Sequence, residues 1–204
     1  MMQEFDLEFC FKVNRKYVQG PDIFDTAIKN ISKEYDEIKA IKYTAYAMLY
    51  KNATMYITNK VVKSDYSIIN SLISFIQGDM KFYAVISENN KLIECSSIYS
   101  EEIVENNSKI TDNMISFKNI LSDSYTEIVV SMNKYFFNQT IKLEGKWIVT
   151  KFDYFELTDI VNIKNKDIAL KLLQNFNNKL TKSLLLLDDK PVGYLYFSLI
   201  PKES

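Results

Sequence analysis

The sequence predicts an α+β fold in which antiparallel sheets pack on helices, organised as two similar αββ(β)αββ halves. Three observations carry this. Of 204 residues, 47% are hydrophobic and 25% charged, with only 4 Gly and 3 Pro, the composition of a globular chain rather than a disordered or collagen-like one. Segments of period two alternate with segments of helical period. The order of those segments then recurs, so that residues 1–104 and 105–204 read as an N-terminal and a C-terminal half of one compact, pseudo-symmetric unit.

In the first half, Phe5, Leu7, Phe9 and Phe11 alternate with Asp6, Glu8 and Lys12, the signature of a half-buried strand. After Gly20 and Pro21, Asp22 is placed to cap a helix whose apolar stripe is Ile23, Phe24, Ala27, Ile28 and Ile31. From Glu37 to Asn59 the β-branched and aromatic residues predict two strands in a hairpin. Ile68, Ile69, Leu72, Ile73 and Ile76 predict a second helix, ending near Gly78. Phe82–Ile86 and Leu92–Ile98 flank Asn89 and Asn90 as a further hairpin, and the polar stretch Ser100–Lys109 predicts a linker.

The second half opens on Thr111 as a cap and Met114, Ile115, Ile120 and Leu121 as a helical stripe. Strands are expected at Glu127–Phe137, Thr140–Leu143 and Lys146–Phe155, then a helix over Asn165–Leu180 and a hairpin around Asp188, Asp189 and Lys190. Local matches support duplication: Ile28–Ile31 resembles Phe117–Ile120, and the stripe from Ile68 falls on the one from Ile168.

Composition excludes several chemistries. There is no histidine, which rules out Ser-His and Cys-His catalysis, imidazole acid/base work and His-ligated metals. Lys+Arg 25 against Asp+Glu 26 gives a net charge of −1, with no electrostatic case for nucleic acid or an anionic membrane as partner. No phosphate-binding, dinucleotide-binding, zinc or C-x-x-C motif occurs, so no cofactor and no metal are expected. Charges interrupt the apolar residues of Met1–Val13, and no uncharged apolar run reaches spanning length, which points to a cytoplasmic protein that does not cross a membrane. Cys10 and Cys95 are expected as reduced core thiols, with a disulfide or a reactive thiol as the alternatives. The wealth of Asn, Ile, Lys and Tyr fits the codons of a low-GC bacterial or phage genome.

The densest unusual segment is Arg15–Asp22, which holds the only arginine together with Tyr17, Gln19 and Gly20 directly before a helix. One reading is an anion site, where a guanidinium and helix N–H groups converge. The other is a strand-to-helix turn, preferred because a capping Asp22 would occupy those donors. Asp153–Glu156 with Asp159 read as a solvated loop. Trp147 reads first as core, and second as an aromatic wall for an apolar ligand.

The order of elements over Phe5–Ile57, with the long strands through Ile38–Lys42 and Asn52–Ile57, resembles hotdog-fold proteins, and Asn138–Val149 is similar in rhythm. The resemblance implies a double-hotdog-like fold, a sheet curved round a central helix, and binding of acyl thioesters. It also implies roles: backbone donors near Gly20, and Asp22 and Asp25 as the acidic catalytic residues, with Arg15, Tyr17, Gln19, Gly20 and Trp147 around the ligand. A His-dependent dehydratase of that fold is excluded. The expected function is binding of a small apolar or acyl-type ligand, with catalysis not required; the alternative is a protein-interaction module, including a homodimer.

Overall fold

A computed structural model describes residues 3–12, 15–60, 69–98, 101–118, 124–141, 144–161 and 163–201. They form an α+β fold of antiparallel sheets packed on helices, in two compact units, Met1–Tyr99 and Ser100–Ser204.

The first unit contains β1 (Gln3–Leu7), β2 (Phe11–Lys12), α1 (Gly20–Glu34), β3 (Lys39–Ala45), β4 (Ala53–Thr58), β5 (Ser71–Gln77), β6 (Met80–Glu88) and β7 (Ser96–Ser97). Its main sheet has the order β1-β4-β6-β5-β3, antiparallel throughout. Helix α1 buries Ile23, Phe24, Ala27, Ile28 and Ile31, the stripe read from the sequence. Phe24 meets Tyr43 of β3 edge to face at 6.0 Å, and Tyr35 after the helix meets Phe75 of β5 at 5.2 Å.

Several expectations change here. β3 and β4 do not form a hairpin with each other: β3 pairs with β5, and β4 with β1 and β6. The second helix is not there over 71–77. Ser71, Ile73 and Phe75 are buried in β5, and Gly78, at φ 56°, turns the chain directly into β6. Ile68 lies outside the described residues. Apolar spacings of one, three and four fit either period over so short a run, and the glycine turn decides for a strand. Of Leu92–Ile98 only Ser96 and Ser97 are extended, paired in parallel with Phe11 and Lys12.

That parallel pairing overturns the expectation of reduced thiols. Register sets Phe11 beside Ser96, so Cys10 and Cys95, each one residue earlier, come to a Cα separation of 4.8 Å and are joined in a disulfide.

The second unit contains α2 (Glu101–Asn107), β8 (Ser108–Thr111), β9 (Met114–Lys118), α3 (Tyr125–Thr140), β10 (Gly145–Glu156), α4 (Thr158–Val161), β11 (Asp167–Phe176), β12 (Leu180–Leu187) and β13 (Lys190–Pro201). Its strands run β10-β13-β12-β11-β9-β8. The expected linker is α2 and β8, and the expected helix from Met114 is β9. The expected strand Glu127–Phe137 is inside α3. There Ser124 caps the helix by accepting from the Glu127 amide, and burial overrides the β-preference of Ile128, Val129 and Val130. The expected helix from Asn165 is β11, bonded to β9 and β12; Ile168, Ala169 and Leu170 are buried in succession, and Leu173 and Phe176 are exposed. Phe137 of α3 packs on Trp147 of β10 at 4.6 Å and on Phe197 of β13 at 6.1 Å. Gly193 is required where β13 crosses β10, since a Cβ there would stand 2.2 Å from the Asp153 carbonyl oxygen.

The residue-level repeats fail even though the element order recurs. Ile28–Ile31 is helix while Phe117 and Lys118 are strand, and the hairpin turn at Asp188 and Asp189 has its counterpart at Gly78 and Asp79, not at Asn89.

Candidate functional site

The segment leading into α1 is positioned by two contacts. Val18, buried, bridges Leu49 through a 2.8 Å backbone bond, and the Arg15 amide donates to the Lys12 carbonyl at 2.9 Å. Between these anchors Arg15 and Tyr17 are half-buried, and Arg15 makes no ion pair among the described residues. Gln19, not Asp22, is the N-cap of α1, and it makes no side-chain cap bond. Pro21 follows it, a residue whose missing N–H costs nothing in a first turn. Asp22 therefore stands inside the first turn, where the helix dipole favours a carboxylate, with the Lys12 ammonium 3.3 Å from its Oδ1. Asp25, three residues on, neighbours it on the helix surface and is half-buried. Arg15, Tyr17, Gln19, Gly20, Asp22 and Asp25 thus share one stretch of the first unit. Trp147 is in the second unit, 5% exposed against Phe137.

The second unit contains polar groups that the sequence reading missed. Where α1 buries only apolar side chains and Pro21, α3 buries Thr126, Ser131 and Asn133, the last fully, and β12 presents Thr181 and Ser183 at 1% exposure each. The Ser183 hydroxyl donates to Asn133 Oδ1 at 3.1 Å, and the Tyr154 hydroxyl donates to Thr126 Oγ1 at 3.3 Å. Asn133 Nδ2 and Thr181 Oγ1 have no partner among the described residues. A buried amide left half satisfied costs about 1–3 kcal/mol, so this group is a standing donor for an acceptor that would enter there. Burial also pushes the Tyr125 phenol well up, so it keeps its proton, which points to the Leu186 carbonyl at 3.4 Å. The signal was present in the sequence as Ser124-x-x-Glu127, a capping pattern that makes Ser131 and Asn133 polar intrusions in a buried helix.

The buried amides of the first unit are different in kind. Asn70, at 3% exposure, donates to the Met48 carbonyl at 2.8 Å and accepts from the Glu88 amide at 2.8 Å. Asn52 accepts from Phe9 N–H at 2.8 Å and donates to the Leu92 carbonyl at 2.9 Å. Both sides of each amide are used, as expected of loop clamps.

Asp153, expected in a solvated loop, is in β10. Its Oδ2 takes Lys151 Nζ at 2.8 Å and the Tyr196 hydroxyl at 3.3 Å. Burial, and then the Asp153 charge, push the Tyr196 phenol up to about 12, so that this phenol keeps its proton at neutral pH. Lys182 Nζ lies 4.0 Å over the Tyr194 ring. Among the described residues no group of acidic or cysteine side chains could hold a metal ion, and no helix is long and apolar enough to cross a membrane.

No protein-family model matches the sequence, and none of the curated proteins is similar to it. Solved structures are similar in fold. A thioesterase II from Thermobifida fusca superimposes with a TM-score of 0.55 at 8% identity, covering 98% of this chain and 92% of that one. The dehydratase domain of PpsC from Mycobacterium tuberculosis, solved with C12:1-CoA, gives 0.51 at 6% identity, covering 98% and 93%. A bifunctional dehydratase-cyclase domain of ambruticin biosynthesis gives 0.53 at 6% identity, covering 98% and 90%. These are hotdog-fold proteins, and the fold of this chain is double-hotdog-like.

Proposed function

We propose that this protein binds a small acyl-type ligand, an apolar chain carrying a carbonyl, without imidazole chemistry. The observation that carries the reading is the Asn133 amide, a fully buried donor with no acceptor among the described residues, inside the helix of a fold whose neighbours include a dehydratase domain solved with C12:1-CoA. The absence of histidine removes His-dependent dehydration from that range. In this reading Arg15, Tyr17, Gln19 and Gly20 of the first unit are the candidates for an anionic group and Asp22 and Asp25 for any turnover, while Trp147 of the second unit is, by itself, a candidate wall for an apolar group.

Native mass spectrometry and calorimetry with acyl-CoA esters of graded chain length test it. Affinity should rise about three- to fourfold per added methylene as apolar surface is buried. Asn133→Leu combined with Ser183→Ala, which removes both partners of one hydrogen bond, should weaken binding about tenfold while leaving the fold intact. Retention of no ester at any length overturns the reading. It would favour the second one, a protein-interaction module, to which the exposed Tyr46 (56%) and Tyr50 (55%) would contribute.

The cytoplasmic address was expected together with free thiols, and the disulfide removes that support. Trapping thiols in intact cells before a non-reducing gel would tie the compartment to the state of Cys10 and Cys95.

A further inference from the structure

The two cysteines are joined where the chain is held together without them. Phe11 N–H donates to the Cys95 carbonyl at 3.0 Å, Asn52 links Phe9 to Leu92, and Lys91 pairs with Asp6 at 2.6 Å. These bonds hold the two segments near enough for the sulfurs to re-pair after their bond breaks, which is what a reversible disulfide requires. Cys95 is exposed and Cys10 only half so, which puts the Cys95 sulfur first in the path of an incoming thiolate. A released Cys95 thiol has an acceptor waiting, the Phe9 carbonyl oxygen 3.2 Å from Sγ. Two residues beyond Cys10, Lys12 reaches Asp22 in the first turn of α1.

We propose that Cys10–Cys95 is a thiol–disulfide exchange site and that it works as a latch on the Lys12–Asp22 pair. A thiolate of a dithiol reductant attacks Cys95 Sγ. The Cys10–Cys95 bond breaks, Cys10 leaves as thiolate and takes a proton from water, and a mixed disulfide remains on Cys95. The second thiolate of the reductant attacks its own sulfur in that mixed disulfide. Cys95 then leaves, is protonated, and the reductant departs oxidised, having passed two electrons to the chain. An oxidised dithiol or a glutathione disulfide runs the sequence backwards. In the reduced state the Phe11–Lys12 strand is held to Ser96–Ser97 by backbone pairing alone, without the neighbouring cross-link, and the first turn of α1 opens more often. The inference stands on this geometry and does not depend on the acyl-ligand reading.

The test equilibrates the full chain with mixtures of reduced and oxidised dithiothreitol, traps thiols with iodoacetamide and counts adducts by mass. Two adducts should form at the reducing limit and none at the oxidising limit, with the same curve approached from either side. Within Gly20–Asp25, where Pro21 has no N–H, the amides of Ile23, Phe24 and Asp25 should exchange several-fold faster in the reduced chain, and those of α3 should not change. Cys10→Ser should take up glutathione from its disulfide roughly tenfold faster than Cys95→Ser. The double variant Cys10→Ser, Cys95→Ser should show the reduced exchange pattern. Reduction only on global unfolding, equal glutathionylation of the single variants, or unchanged exchange at Gly20–Asp25 would each overturn the proposal.

Discussion

Apart from β2, β7, α2, β8 and α4, the two units share an element order, strand, helix and then four strands, yet pair the last four differently. Counting from the helix, the first unit places them second, fourth, third, first (β4-β6-β5-β3), and the second places them second, third, fourth, first (β11-β12-β13-β10). The difference follows from the length of one connection. β11 and β12 are joined by residues 177–179, with Asn177 and Asn178 at φ 51° and 54°, a turn so tight that one side of β12 is committed to the strand it has just left. β4 and β5 are joined by residues 59–70, and β6 takes the place between them. Each unit ends its sheet with the same kind of hairpin, and the chain upstream decides which of its edges faces the second strand.

A second contrast is covalent, and it gives the largest expected effect. The first unit is tied across 85 residues by Cys10–Cys95, and the second contains no cysteine. In the chain-entropy view a cross-link of that span is worth about 4.5 kcal/mol. Reduction should lower the stability of the first unit by up to that amount in denaturant, read as amide protection unit by unit. Equal losses in both units would break the contrast. A smaller effect belongs to the turn: Asn177→Val with Asn178→Val forces branched side chains into left-handed backbone and should cost the second unit about 2 kcal/mol or more. A loss below about 0.5 kcal/mol would mean that the turn does not dictate pairing there. The helix caps should differ least. Ser124→Ala removes a bond made at 3.0 Å and should cost about 1 kcal/mol, whereas Gln19→Ala should change stability by less than about 0.5 kcal/mol. Equal costs would erase this difference between α1 and α3.

The fold class and α1 were legible because Ile23 to Ile31 keep one period over a full helix, with Pro21 at its start. The later elements were less so. β5 and β11 present apolar residues at spacings that serve a helix equally well, and while each makes a tight hairpin with the next strand, its other partner, β3 or β9, is remote in sequence. α3 was hidden by Ile128, Val129 and Val130, whose local preference is extended and whose burial is tertiary. The Arg15–Asp25 segment could be found by its composition, whereas Asn133 acquires its meaning only when α3 is known to be a helix against Ser183. The disulfide was illegible because it depends on the two-residue parallel pairing of β2 with β7, which no periodicity announces.

The amide clamps at Asn52 and Asn70 carry no proton that comes or goes near neutrality, the chain has no imidazole, and its two sulfurs are bonded. Acidification from about pH 8 to about pH 6 therefore leaves both clamps made, since neither the amide side chains nor the backbone groups they hold gain or lose a proton there.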